Sequence, residues 1–222
     1  MGVMSVSTRA RGAYAKSAVR REEILASALT VFGEKGLDGL SLTAIAEVVG
    51  VSREALRYYF SSREELLLAL IDARDARSIA VVSDLSPDES LMRHVEASIE
   101  LQRGDKGLVS LYLSLAATAS HGSESTRKFF ADRFAQMRTN IAEAICVDQD
   151  RGRIRSDLPA PILSALIIAA MDGLQEQWLL DEAVDVAAGL RALEVLLTPT
   201  STAQEGRTGE PQSRQVTREV VE

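Results

Sequence analysis

The chain has 222 residues, 46% hydrophobic and 26% charged, with a formal net charge of −7. That length suits a small module joined to a larger one, because domains commonly run ~50–200 residues. Its single cysteine, Cys146, excludes a disulfide framework or a multi-cysteine zinc site and reads as a small buried hydrophobe. The richest apolar run, 161–171, is far shorter than the ~20 residues of a membrane span, and no N-terminal stretch resembles a signal peptide. The expectation is a soluble cytoplasmic protein with no membrane partner.

The overall charge hides an asymmetry. Residues 1–63 carry nine Lys/Arg against six Asp/Glu, a balance of +3, which leaves −10 for the remainder. One end therefore suits a polyanion that the acidic body would repel. Residues 1–21 hold five positive groups, no negative one and little apolar pattern. Residues 1–16 are expected to form a flexible basic arm, either lying along a nucleic-acid backbone or groove or serving as a leader without a role.

From Arg20 to Phe32 the pattern is an amphipathic helix with Ile24, Ala28, Val31 and Phe32 on one side, closed by the Gly33–Gly36 breakers. Ser41 is placed as N-cap for a helix whose apolar stripe is Leu42, Ile45, Ala46 and Val49. Gly50 breaks that helix, Val51 plugs the corner, and Ser52 caps a second helix that carries Leu56 and Phe60 inward. Ala46 lets the two helices approach, and Gly50 supplies the positive φ that a helix end often requires. This is the physical content of a helix-turn-helix, whose second helix enters the DNA major groove. Any amphipathic pair joined by glycine shares some of these features, but the flanks narrow the choice. Ser61-Ser62-Arg63-Glu64-Glu65-Leu66 reads as a cap followed by a further helix with acidic groups in its first turn.

Residues 21–70, REEILASALTVFGEKGLDGLSLTAIAEVVGVSREALRYYFSSREELLLAL, resemble the tetracycline-repressor (TetR) family of bacterial transcriptional regulators. Phe32, Gly36, Ser41, Ile45-Ala46, Gly50-Val51-Ser52, Leu56, Phe60 and Glu65-Leu66 all fall at that family's spacing. The resemblance implies an all-α chain with a three-helix DNA-binding domain over 17–63, then a helical effector-binding and dimerisation domain over 64–198, about nine helices in total. Two positions depart from the family. Arg57 stands where a tyrosine commonly contacts phosphate, and Glu54 where a small residue is usual. An arginine can grip phosphate or pair bidentately with guanine, and a glutamate can accept from cytosine N4, so the operator sequence is left open. By this geometry Arg53, Glu54, Ala55 and Tyr59 reach base edges, while Ser41, Thr43, Ser52, Arg57, Tyr58 and Arg63 are placed for phosphate.

Beyond Glu64 the chain reads as helical throughout. Expected helices run from Glu64 to about Val82, Pro87 to about Arg103, Gly107–Ala119, Glu124 to about Arg151, Pro161–Leu180 and Asp185–Leu197. After Pro199 the periodicity is lost, and 199–222 are expected to be disordered.

A second, weaker resemblance covers DRGRIRSDLPAPILSALIIAAMDGLQEQWLLD, residues 150–181. It implies that this helix and the next form half of a four-helix bundle with a second subunit. Apolar residues surround the helix, more than one core covers, so its expected dimer interface is Ile162, Leu166, Ile167, Ala170 and Leu174. The plainer reading is an intramolecular core helix. Dimerisation would let two modules read an inverted repeat in double-stranded DNA. A small hydrophobic or amphipathic effector is also implied by the resemblance. Met92, Tyr112, Phe130, Met137, Gln175 and Trp178 are its candidate lining, although each also fits an ordinary core. No metal site or cofactor is expected. An enzyme reading finds little support, since His94 and His121 are the only histidines and no phosphate-cradling Gly-rich loop occurs. A regulator controlled by a protein partner, or an activator, is the other alternative.

Overall fold

The computed structural model describes residues 6–39 and 41–199, and every regular element among them is helical. In chain order these are α1 (Val6–Gly39), α2 (Leu42–Val49), α3 (Arg53–Tyr59), α4 (Arg63–Ser83), α5 (Leu91–Arg103), α6 (Lys106–Thr118), α7 (Glu124–Asp150), α8 (Ala160–Leu180) and α9 (Val186–Leu197). A 3-10 turn, Ala119–His121, joins α6 to α7.

Two helix starts differ from expectation. α1 begins at Val6, inside the stretch expected to be a flexible arm. Its alanines and arginines are strong helix formers and no proline interrupts them, so the helix extends back from Arg20. α5 begins at Leu91 rather than Pro87, because Ser86 first organises a turn. Its carbonyl accepts from Glu89 N–H at 3.0 Å, after which Ser90 caps the helix by accepting from Arg93 N–H at 3.2 Å. The expected break in Gly33–Gly36 falls at Gly36, whose φ of 67° and ψ of −171° interrupt α1. Residues 1–5 of the expected arm and 200–222 of the expected tail lie outside the described residues.

Two apolar cores organise the molecule. The first joins Ile24 and Ala28 of α1, Ile45 of α2, Leu56 of α3 and Phe60 to Leu66, Leu70 and Ile71 of α4 and Leu111 and Tyr112 of α6. Each large side chain fully enclosed this way contributes roughly 1.5–3 kcal/mol. The N-terminal module therefore has no separate core ending at residue 63. The second core holds Met92, Val95 and Ile99 of α5, Ile145 of α7, Leu163, Ile167 and Trp178 of α8, and Val186 and Leu190 of α9.

This second core corrects part of the expected dimer interface. Ile167 is completely enclosed within its own protomer. Leu174 packs on α9, so closely that a Cβ added to Gly189 would meet its Cδ2 at 2.7 Å. Ala170 is half-buried. Only Ile162 and Leu166 of the five remain largely exposed, at 54% each. The α8 stripe is wide because α5, α7 and α9 all consume part of it. Cys146, expected inside, is exposed on α7.

Candidate nucleic-acid interface

The α2–α3 corner is built by local chemistry. Ser41 Oγ accepts from Ala44 N–H and Ser52 Oγ from Ala55 N–H, both at 3.1 Å, so each helix starts on a serine cap. Gly50 adopts φ 70°, ψ 37°, and Val51 N–H reaches back to Ala46 O at 3.0 Å. Leu56 and Phe60 are fully enclosed and pin α3 from beneath. At the far corner Glu65 accepts from Ser61 N–H at 2.8 Å and Ser61 Oγ at 2.6 Å, while Ser62 Oγ accepts from Glu65 N–H at 3.0 Å. This reciprocal box fixes where α4 leaves α3.

α3 consequently buries one side chain fully within its span, Leu56, and turns all the others except Tyr59 outward. Arg53, Glu54, Ala55, Arg57 and Tyr58 are exposed, Tyr58 to 81%. Tyr59 is half-buried and packs edge-on against Tyr58 with ring centroids 5.2 Å apart. It braces the exposed ring as well as bordering the outer face. Ser41, Thr43, Ser52 and Arg63 are exposed around the same corner. The Ser41 hydroxyl uses a lone pair on the helix and keeps its proton for an acceptor such as phosphate, while the Ser52 hydroxyl also serves the Glu54 carboxylate. Glu54 lies in the first turn of α3, where its own backbone amide, then the Ser52 hydroxyl, hold its carboxyl below the usual range. It therefore presents a charge to whatever approaches.

The candidate effector residues do not come together. Met92 and Trp178 belong to the second core, Tyr112 and Phe130 to the first, and Met137 is half-buried on α7. Gln175 is enclosed, with its Oε1 unpartnered. An open space lies elsewhere: a cleft of about 950 Å³ between the end of α1, the outer side of α6 and the C-terminal half of α8. None of the six candidates lines it. A sequence signal existed in Gly107, Ser110, Ser114 and Ala117, small residues at helical spacing that leave one side of α6 open.

Beside that cleft runs a buried polar network that the sequence did not disclose. Tyr112 Oη donates to Asp172 Oδ2 at 2.9 Å and accepts from Arg133 Nη1 at 3.2 Å. Arg133 grips Asp75 of α4 through Nε at 2.6 Å and Nη2 at 3.1 Å. The guanidinium groups of Arg74 and Arg133 lie 4.4 and 4.5 Å from the Tyr112 ring centroid. Burial raises the Tyr112 hydroxyl well above its ordinary pKa, keeping it a donor, and also raises Asp172. Burial opposes the charge on Arg133, but the bonds to Asp75 outweigh it and raise its pKa. Among the described residues no group of three or more His, Cys, Asp or Glu could hold a metal ion, and no helix is long and apolar enough to cross a membrane.

A pinned, outward-facing helix after a glycine corner, carried on a larger helical body, defines the helix-turn-helix class of transcriptional regulators. Residues 24–70 match the model of bacterial regulatory proteins of the tetR family, and residues 87–199 match that of the BetI-type transcriptional repressor C-terminal domain. The chain belongs to the TetR family of bacterial transcriptional regulators. It is 30% identical over 159 residues to the HTH-type transcriptional repressor AcnR of Corynebacterium diphtheriae, covering 70% of this chain and 78% of that protein. Identity to the HTH-type transcriptional regulator BetI of Rhizobium meliloti is 28% over 152 residues, covering 65% and 74%. The fold matches a putative TetR-family transcriptional regulator from Rhodococcus sp. with a TM-score of 0.67 and 27% identity, over 81% of this chain and 98% of that one.

Proposed function

We propose that this regulator is a cytoplasmic repressor that binds an inverted-repeat operator as a homodimer and is released by a small hydrophobic or amphipathic effector. The observation that carries the DNA-binding part is α3 itself: of its seven residues Leu56 is buried and Tyr59 half-buried, and the other five are turned to solvent. Arg53, Glu54, Ala55 and Tyr59 are assigned to base edges. Ser41, Thr43, Ser52, Arg57, Tyr58 and Arg63 are assigned to phosphate.

Dimerisation is supported by an apolar face with no cover in the protomer. Ile162 and Leu166 of α8 are exposed, as are Val195 and Leu196 of α9 at 73% and 69%. The two pairs lie at the same end of the helix pair, because Arg155 N–H, just before α8, donates to Leu197 O at 2.7 Å. Burying such a patch against its own copy gives a two-fold dimer. Two recognition helices would then meet successive major grooves ~34–36 Å apart.

Release requires an effector with higher affinity for a non-binding arrangement of the helices. The first core provides the linkage, since α4 shares it with α1–α3 and packs on α1 as well as on the body. Mobility-shift assays with DNA from upstream of the protein's own reading frame test the proposal. A retarded complex that competitor DNA of unrelated sequence does not displace is expected, and Arg53→Ala should abolish its sequence preference. Equal retardation of unrelated fragments would refute it.

A further inference from the structure

Glu54 is the single acidic residue of α3, and it stands on the face that the helix-turn-helix turns outward. Leu56, two residues on and about 200° around the helix, is fully enclosed, so Glu54 is directed away from the core. Arg53 and Arg57 flank it, and both are exposed. We propose that Glu54 selects one cytosine in each operator half-site by accepting a hydrogen bond from its N4 amino group, and that it excludes the other bases there by repulsion. The proposal rests on the DNA-binding reading above and gives one of its contacts a base.

The base follows from what a carboxylate meets in the groove. Carried into a polyanion, it weakens binding unless it finds a donor. Phosphate oxygens are all acceptors. On the major-groove edges, guanine O6 and N7, adenine N7 and thymine O4 are acceptors as well, and only cytosine N4 and adenine N6 donate. The two donors differ in their neighbours. Adenine N6 lies between N7 of its own base and O4 of the paired thymine, so a carboxylate that reaches it faces an acceptor on each side. Cytosine N4 has guanine O6 on one side and the C5 hydrogen on the other, so one flank alone repels. That guanine also offers O6 and N7 to an arginine, and Arg53 is adjacent in the chain. An acid beside an arginine therefore suits a C·G pair read from both of its bases.

The local chemistry keeps Glu54 in the form this contact needs. Its own backbone amide, then the Ser52 hydroxyl, hold the carboxyl ionised, so it has no proton to donate to guanine or thymine. An ionised carboxylate has about four acceptor sites, which leaves capacity for a base beyond what Ser52 uses. Guanine or thymine at the same place would leave a desolvated charge without a partner, a heavier penalty than a hydrogen bond merely not made. The same charge opposes binding to unrelated DNA, so selectivity is gained at the expense of raw affinity.

The test enriches bound duplexes from a pool of randomised DNA with wild type, Glu54→Gln and Glu54→Ala. Wild type should hold cytosine at one position, repeated by the two-fold symmetry of the site. Glu54→Gln should exchange that cytosine for adenine, whose N6 and N7 suit an amide, and Glu54→Ala should lose the preference at that position alone. Placing N4-methylcytosine there replaces the groove-facing N–H and leaves the base pair intact. In fluorescence anisotropy it should weaken wild-type binding roughly tenfold and leave Glu54→Ala unaffected. Unrelated DNA should bind Glu54→Gln more tightly than wild type. Cytosine retained by Glu54→Ala, a different base held by wild type at the position the variants alter, or equal affinity for cytosine and N4-methylcytosine would overturn the contact. The modified duplex is read on wild type, so it decides even if a variant misfolds. A wild type that enriches no sequence would refute the operator reading itself, whereas an inverted repeat unchanged in Glu54→Ala would overturn the cytosine contact alone.

Discussion

Replacing Glu64 with glutamine tests how the recognition module is fastened to the body. Its Oε1 accepts from Ser125 Oγ at 2.7 Å, from Thr126 Oγ1 at 2.5 Å and from Ser123 Oγ, all at the start of α7. These bonds, Ser123's foremost, hold the carboxyl at about 2, against an ordinary 4.5. The unfolded chain therefore binds this proton more tightly than the folded one. The fastening is complete above about pH 4.5 and is lost as pH falls toward 2. Each tenfold change in proton affinity carries ~1.4 kcal/mol, which sets a ceiling of about 3 kcal/mol. The side chain keeps some contact with solvent, so the expected contribution is roughly 1–2 kcal/mol. Urea denaturation of wild type and Glu64→Gln, at one fixed protein concentration because a dimer's stability depends on it, measures the difference. At pH 7 the variant should be less stable by roughly 1–2 kcal/mol, and at pH 3 the gap should shrink to less than half of that. An equal gap at both pH values, or one under ~0.3 kcal/mol at pH 7, would refute the reasoning.

Arg57→Ala should weaken binding to the operator and to unrelated DNA alike. It should also reduce the slope of log affinity against log salt by ~0.9, the signature of one lost phosphate contact. Fluorescence anisotropy at several salt concentrations checks both. Gly50→Ala adds a Cβ that meets nothing within 4 Å, so its cost is conformational, roughly 1 kcal/mol from φ 70°, and thermal unfolding should report it. Ile162→Asp combined with Leu166→Asp should yield a monomer by size-exclusion chromatography with light scattering. The helical circular dichroism should be retained, because both side chains are outside the protomer's core.

The helix-turn-helix was legible because its determinants are local. Ala46, Gly50, Ser52 and Leu56 lie within eleven residues, and each acts through a cap, a positive φ or a close approach that its neighbours specify. The α8 face was legible only in part. Leu166 and Ile167 are both apolar and adjacent, yet one faces solvent and the other the core, and only the placement of α5 and α9 decides which. The network of Asp75, Tyr112, Arg133 and Asp172 left no trace in the pattern, because its members come from four helices and meet across 21 to 60 residues of chain. On a single helix such charges read as a solvated face. The start of α1 was not legible for the opposite reason: a run of positive charge suggests an arm, while alanine and arginine propensity favours the helix that begins at Val6.

The central claim is that two copies of α3, clamped by paired α8–α9 faces, engage one operator. Sedimentation velocity of the protein alone and with a short duplex spanning its footprint tests this most directly. The account predicts a dimer at micromolar concentration and a complex of two protomers per duplex. A protomer that remains single on the DNA, or a complex that forms equally well on duplex of any sequence, would contradict it.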